Sequence, residues 1–278
     1  MKNLKQNKVN LIVLGFQKSG TTTIADYLNK HEEVNFCSQK EPFFFSNNKN
    51  WKKNLEQYHE LFKKNKDRRI WAEASTNYVW LFDFPHVPAN IKAYNSKMKF
   101  IIIMRDPVYR MISHYNYYKI KGYTNKTRLD AINSDPIYIN NGMYALQIEP
   151  YIELFPRENF LFLTLEEFKN NAKFELDKIA NFLSISPFKL NSKIKVSNKT
   201  SSLKKTRLIK KKIAPYFRFL PIWIRKLFLP LFQYDIKIHS ELSHKEYLYF
   251  RSFFNKDILK MQEITQKELE KFWVYKKN

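Results

Sequence analysis

The turn Gly15-Phe16-Gln17-Lys18-Ser19-Gly20-Thr21-Thr22-Thr23 is the first segment whose residue types point to chemistry. Two glycines five apart, with hydroxyl residues behind, set a run of backbone N–H groups where a helix can begin, and that is a ready anion site. Nucleoside triphosphatase loops carry Lys directly after the second glycine, to reach terminal phosphates beside magnesium. Here that position is Thr21, and Lys18 stands inside the loop. A lysine so placed can offset negative charge developing on a leaving oxygen. The other reading is a plain strand-to-helix turn with incidental hydroxyls. A second group lies in Arg105-Asp106-Pro107-Val108-Tyr109-Arg110-Met111-Ile112-Ser113-His114. Arg105 and Ser113 can grip one phosphate, the first as a charged fork and the second as a hydroxyl donor. Arg110 is a further candidate, but reads rather as a surface arginine on a helix. Glu41, in Lys40-Glu41-Pro42, can take the proton from an attacking hydroxyl or amine. From its neighbours alone it is a surface carboxylate beside Lys40, a pairing worth little. His31 and His114 rank behind it as bases, because a lone helical His is more often structural.

These groups need particular elements to position them. Lys8 to Gly15 is a continuous apolar run, read as a buried strand, and Thr21 to Asn29 has helical spacing. Strand, glycine-bounded turn and helix open a nucleotide-binding α/β unit. Phe100 to Met104 is the clearest buried strand. It delivers Arg105 at its carboxyl end, where open α/β sheets bind ligands. Pro107 starts the next helix, which runs to about Lys119. Ile70 to Ala74 and Phe160 to Leu165 read as further strands, and Tyr58 to Phe62, Phe174 to Leu183 and Leu242 to Trp273 as helical. Strands alternating with helices predict an α/β, P-loop-like three-layer fold with a mostly parallel central sheet flanked by helices. The expected organisation is a single domain over 1–278. Its core spans about 8–190, followed by a polar, basic loop and a C-terminal helical segment over 191–278.

The composition bounds the rest. The chain has 278 residues, 44% hydrophobic and 17% aromatic, enough for a sizeable core. Its 49 basic and 26 acidic residues give a net charge of +23, which attracts phosphates, polyanions or an anionic membrane surface. The single cysteine, Cys37, excludes a disulfide framework and a cysteine-based zinc site, and a reducing, cytoplasmic compartment fits. Ile213 to Phe232 is rich in Phe, Leu and Ile. Its prolines and basic residues make it a candidate for peripheral membrane contact rather than a span.

The loop GFQKSGTTTIADYLNKH, then KEPFFF, then FIIIMRDPVYRMISHYNYY together resemble the sulfotransferase superfamily, in its heparan-sulfate-type and bacterial carbohydrate branches. Asn141-Gly142-Met143-Tyr144, with Tyr151, Phe155, Pro156, the Phe160 strand and the helix ending at Trp273, extends the likeness over residues 9 to 273. The resemblance implies sulfuryl transfer from 3′-phosphoadenosine 5′-phosphosulfate (PAPS) to a hydroxyl or amine on a carbohydrate, without a metal; the excess positive charge suits an anionic acceptor, and the stretch 213–232 a glycolipid one. The resemblance implies that Lys18, Ser19, Gly20, Thr21, Thr22 and Thr23 hold the 5′-phosphosulfate end and Arg105 and Ser113 the 3′-phosphate. It makes Glu41 the general base and Lys18 the second catalytic residue. Lys205 and Arg207, in Ser201 to Arg207, are the loose counterpart of a basic loop that closes over the nucleotide. The chain departs from the family at Ala74, where a lysine is frequent, at Phe43, where a histidine commonly follows the Glu-Pro pair, and in lacking a cysteine pair. Two rival functions follow from the residues. A P-loop small-molecule kinase is disfavoured by the position of Lys18. A nucleic-acid-binding protein is motivated by the charge, but the basic residues are scattered and form no recognised module, so no nucleic-acid partner is expected.

Overall fold

The computed structural model describes residues 8–47, 49–189, 205–206, 233–234 and 242–276. Among these, five parallel strands form the central sheet: β1 (Leu11–Gly15), β2 (Val34–Phe36), β3 (Ile70–Ala74), β4 (Lys99–Met104) and β5 (Phe160–Thr164), in the order β2-β3-β1-β4-β5. A two-residue antiparallel ribbon pairs β6 (Lys205–Thr206) with β7 (Gln233–Tyr234). The helices are α1 (Thr21–Lys30), α2 (Phe44–Asn47), α3 (Leu55–Glu60), α4 (Val87–Tyr94), α5 (Pro107–Lys121), α6 (Arg128–Ser134), α7 (Ile137–Asn140), α8 (Tyr144–Leu154), α9 (Leu165–Asn170), α10 (Ala172–Leu183), α11 (His244–Ser252) and α12 (Asn255–Thr265).

The strands are apolar throughout because both faces of the sheet are covered. Leu11 and Val13 of β1, with Ile101 and Ile103 of β4, turn to one side, where Ile24 and Leu28 of α1 and Leu176 and Ile179 of α10 pack on them. Ile12 and Leu14, with Phe100, Ile102 and Met104, turn to the other, against α4, α5, α8 and the C-terminal helices. Each fully buried Leu, Ile or Phe contributes about 1.5–3 kcal/mol relative to exposure. Tyr247, Phe250, Phe254, Met261, Leu269 and Trp273 belong to this second cluster, so the described C-terminal segment shares the core with the sheet.

Register sets the site. Gly15 of β1 lies opposite Ile103 of β4, and Met104 opposite Thr164 of β5. The chain therefore leaves β1 and β4 side by side at the same edge, and the turn after Gly15 emerges next to Arg105. The predicted strand at residues 8–15 begins three residues later, at Leu11. The helix expected from Pro107 starts there and runs to Lys121, ended by Gly122 in the left-handed region (φ 74°). The basic stretch 191–204 and Arg207, and the apolar stretch 213–232, lie outside the described residues; of Lys205, its strand pairing alone is described. Among the described residues no helix is long and apolar enough to cross a membrane.

Candidate active site

The turn after β1 closes on itself through Ser19 N donating to the Phe16 carbonyl at 3.0 Å. Its two glycines are required by geometry. A Cβ at Gly15 would sit 1.4 Å from Thr21 Cγ2, and Gly20 has φ 99° with Leu165 Cδ1 2.8 Å from where a Cβ would stand. Gly20 offers no side chain to cap α1 and the first turn of that helix carries no acidic residue, so its dipole and the amides ahead of Thr23, whose own N donates to the Gly20 carbonyl at 3.0 Å, face the turn uncompensated. Thr23 Oγ1 is buried there with no hydrogen-bond partner among the described residues, and the buried Ser19 hydroxyl faces the Tyr144 phenol. An uncapped helix start and an orphaned buried hydroxyl are donors awaiting an acceptor.

Lys18 itself has φ 76°, the left-handed region. Its Nζ lies 5.2 Å from the centre of the Tyr117 ring on α5. Burial holds its pKa below the usual lysine range, and Arg105 adds to the effect. Arg105 donates from Nη1 to the Lys18 carbonyl at 3.4 Å, and its own carbonyl accepts from the Tyr144 hydroxyl at 2.7 Å. The backbone of both cation-bearing segments is thus held from both sides. Asp106 caps α5, accepting from Val108 N at 2.8 Å and Tyr109 N at 3.2 Å; burial raises its carboxyl to about 6.

On α5 the structure corrects the expectation for Arg110. It is fully buried, not a surface arginine. It donates to the Tyr138 carbonyl and contacts His114 Nδ1 at 3.4 Å, while its Nε has no partner among the described residues. Burial, partly opposed by Tyr144 and reinforced by Arg105, lowers it to about 10. His114 is also buried, and burial, Arg110 and Lys18 together hold it down to about 3. It is a neutral imidazole at any ordinary pH. Ser113 is buried on the same helix beside it. Arg110, Ser113, His114 and Tyr117 follow the i, i+3, i+4, i+7 spacing of one helix face. That spacing is visible in the sequence and could have marked Arg110 and Tyr117. Among the described residues Lys18, Arg105 and Arg110 form no salt bridge. Burial and then Arg105 lower the proton affinity of both Lys18 and Arg110, Glu166 and Asp106 partly balance Arg105 itself, and an incoming anion would stabilise all three cations.

Thr21 and Thr22 also border an open cleft of about 200 Å³, whose far wall is Cys37, Lys40, Glu41 and Ala74. Glu41 is half-buried with φ 51°, and its Oε1 accepts from Thr76 Oγ1 at 3.4 Å. Burial raises its pKa above the usual carboxylate range, against the attraction of Lys40. The cleft therefore brings Glu41 to the start of α1. Cys37 is pushed up to about 12 by burial, an inert thiol at neutral pH. His31 is remote from this group. Its Nε2 lies 2.9 Å from the Ser186 carbonyl and its Nδ1 accepts from Glu33 N, a structural role. Among the described residues no cluster of three or more His, Cys, Asp or Glu is placed to hold a metal ion.

Mouse heparan sulfate glucosamine 3-O-sulfotransferase 5 is 28% identical over 197 residues, covering 66% of this chain and 56% of that protein. Mouse carbohydrate sulfotransferase 15 is 25% identical over 245 residues, covering 63% and 43%. The chain thus spans about half the length of the curated relatives it matches. Among solved structures, a sulfotransferase from Alicyclobacillus acidocaldarius superposes with a TM-score of 0.68 at 18% identity, covering 96% of this chain and 99% of the other. A mouse sulfotransferase complexed with PAP gives 0.52 at 16% identity, covering 91% and 84%. The sulfotransferase domain family matches residues 8–218, more than half of the sequence, and with the P-loop-like sheet and the cationic turn beside it this chain belongs to that family.

Proposed function

We propose that the protein transfers a sulfuryl group from PAPS to a hydroxyl or amine of a carbohydrate, with residues 1–278 acting as one catalytic unit. The observation that carries the reading is that Lys18, Arg105 and the buried Arg110, free of salt bridges among the described residues, accompany the uncapped start of α1. A donor phosphorylated at both ends of its ribose offers this cluster two anionic groups. The amides of Gly20 to Thr23, the hydroxyls of Ser19 and Thr21 to Thr23 and the ammonium of Lys18 hold the 5′-phosphosulfate end. Arg105 and Ser113 hold the 3′-phosphate, with the charge of Arg110 behind them. Lys205 and Arg207 close over the nucleotide.

The donor supplies the sulfuryl group and a phosphate leaving group. Glu41 accepts the proton of the acceptor as the new O–S or N–S bond forms. Its raised pKa makes it a stronger proton acceptor than an ordinary surface carboxylate. Lys18 and the amides at the start of α1 lie where charge collects on the departing phosphate. Positioning and fixed dipoles supply most of the rate, as in phosphoryl transfer. The carbohydrate acceptor rests on the relatives, whose names specify heparan sulfate glucosamine and carbohydrate. Anionic character of the acceptor, and peripheral membrane contact through 213–232 in a cytoplasmic setting, rest on the net charge of +23 and on composition.

Thermal shift with adenosine 3′,5′-bisphosphate, AMP and ATP tests the donor. Selective stabilisation by the bisphosphate is expected, about 2.7 kcal/mol at a hundredfold excess over Kd. An equal or larger response to ATP with magnesium would refute it in favour of a kinase.

A further inference from the structure

We propose that Glu73, at the end of β3, is the positioning residue that holds Glu41 in the cleft. The inference rests on the reading of Glu41 as the base. Glu73 is fully buried and forms no salt bridge among the described residues. Instead three hydroxyls donate to it: Tyr58 at 2.5 Å and Tyr78 at 2.9 Å to Oε1, and Ser75 at 2.7 Å to Oε2. Two of these hydroxyls pass the order on. Ser75 Oγ accepts from Phe43 N at 3.2 Å, and Tyr78 Oη accepts from Phe45 N at 3.2 Å. The third, Tyr58, stacks its ring on Phe44 at 4.1 Å and 6°.

Every one of the three arms therefore ends on the segment that follows Glu41. That segment needs holding. Glu41 (φ 51°) and Phe43 (φ 53°) both sit in the left-handed region that non-glycine residues avoid at a cost of about 1–2 kcal/mol each. Neither is Asn, Asp or Gly, so local preference does not explain the conformation; surrounding contacts must impose it. A carboxylate suits the task because it accepts only. With its oxygens taking the hydroxyl protons, the lone pairs of Ser75 and Tyr78 are left for the two amides. Thr76, in the same turn after β3, donates to Glu41 itself, and the Tyr151 hydroxyl fixes that turn through the Tyr78 carbonyl at 2.6 Å. A fully buried carboxyl with no salt bridge among the described residues, held by hydroxyls alone, would be an expensive feature for a turn with no function to hold.

The test uses the whole chain with Ser75→Ala, Tyr78→Phe and Glu73→Gln. The readouts are amide hydrogen exchange at Phe43 and Phe45, 13C-detected titration of the Glu41 carboxyl, and thermal shift with adenosine 3′,5′-bisphosphate. Ser75→Ala should speed exchange at Phe43, and Tyr78→Phe at Phe45, each by about tenfold, the scale of one lost hydrogen bond. Glu73→Gln should loosen both. In each variant the Glu41 midpoint should fall toward the ordinary carboxylate value, while the shift given by the bisphosphate stays as in the parent. Unchanged exchange at Phe43 and Phe45, or an unmoved Glu41 midpoint, in folded Ser75→Ala and Tyr78→Phe would overturn the proposal. Glu41→Gln separates the two readings. Full transfer by that variant removes Glu41 as the base, whereas the exchange and titration results judge Glu73 alone.

Discussion

Replacing Gly20 by alanine should destabilise the protein for two separable reasons. The backbone there has φ 99° and ψ 13°, where a Cβ costs about 1–2 kcal/mol. The same Cβ would stand 2.8 Å from Leu165 Cδ1 and 3.5 Å from Ile103 Cδ1, and forcing an extra methyl into a packed core costs about 1–3 kcal/mol. Together these predict a loss of about 2–5 kcal/mol, a fall in Tm of roughly 5–15 °C for a chain of this size. The parts are told apart by a double-mutant cycle with Leu165→Ala, measured by urea unfolding with the m-value held constant. Leu165 is nearly buried, so its truncation carries its own cost of about 2–5 kcal/mol. In that background the clash is gone and Gly20→Ala should cost only the backbone share of about 1–2 kcal/mol, so the coupling equals the lost clash, about 1–3 kcal/mol. Equal costs in both backgrounds would show that the contact with Leu165 is not what excludes a side chain. A total loss under about 0.5 kcal/mol would show that the left-handed turn itself is not required, and the account of the phosphate loop would fall with it.

Lys18→Ala should abolish turnover and Glu41→Gln should cut it about a hundredfold or more while bisphosphate binding survives in the latter; transfer assays with radiolabelled PAPS decide, and near-parental rates would remove the residue from the mechanism. Arg110→Met should leave the free protein as stable or more stable, because it removes a buried charge that has no salt bridge, yet weaken bisphosphate affinity about tenfold or more; calorimetric titration with parallel denaturant melts would contradict this if affinity held and stability fell. Asp106 binds its proton more tightly folded (about 6) than unfolded (3.8), so it withdraws stability as pH rises from about 4 to about 6. Asp106→Asn, which keeps a capping oxygen, should flatten that part of the stability–pH curve; a difference curve with no slope between those values would count against the buried carboxyl as its source.

The strand-turn-helix unit at residues 11–30 and the β4 to α5 connection were legible because their signals are local. Apolar runs bounded by glycine or by Arg-Asp-Pro need no knowledge of distant contacts. The three-residue β2 was not legible, because Val34–Phe36 is too short for periodicity and exists by pairing with β3. Nor was α8, which carries Pro150 inside it; packing of Tyr144, Ile148 and Tyr151 outweighs that breaker, and Asp257 of α12 receives the amides of Ala145 and Leu146 at its start. Lys18, Arg105 and Glu41 were readable as candidates, but their meeting around one edge of the sheet depends on strand order. Arg110 was misjudged because an arginine is ordinarily exposed, although its spacing with Ser113, His114 and Tyr117 placed it on their face of α5. Glu73 was invisible as an organiser, since its partners Tyr58, Ser75 and Tyr78 reach it from two segments.

The cationic cluster and the buried carboxylate are built on opposite principles, and the contrast bears on what the site does. Glu73 is fully satisfied by three hydroxyls and fixes one backbone arrangement whether or not a ligand is present. Lys18, Arg105 and Arg110 form no salt bridge among the described residues, burial and then Arg105 lower the proton affinity of the other two while Glu166 and Asp106 partly balance Arg105 itself, and the buried hydroxyl of Thr23 nearby has no partner among those residues. Such an arrangement lowers the stability of the free protein, and it is restored when an anion enters. On the proposed transfer reading, a site meant only to bind would gain nothing from keeping its donors unsatisfied on the side where the leaving phosphate would gather charge. A site meant to favour a transition state gains there, because interactions that strengthen as charge develops act on the rate. On the proposed reading of Glu41 as the base, fixing its loop through an independent network would let it keep its position while the cations respond to the donor.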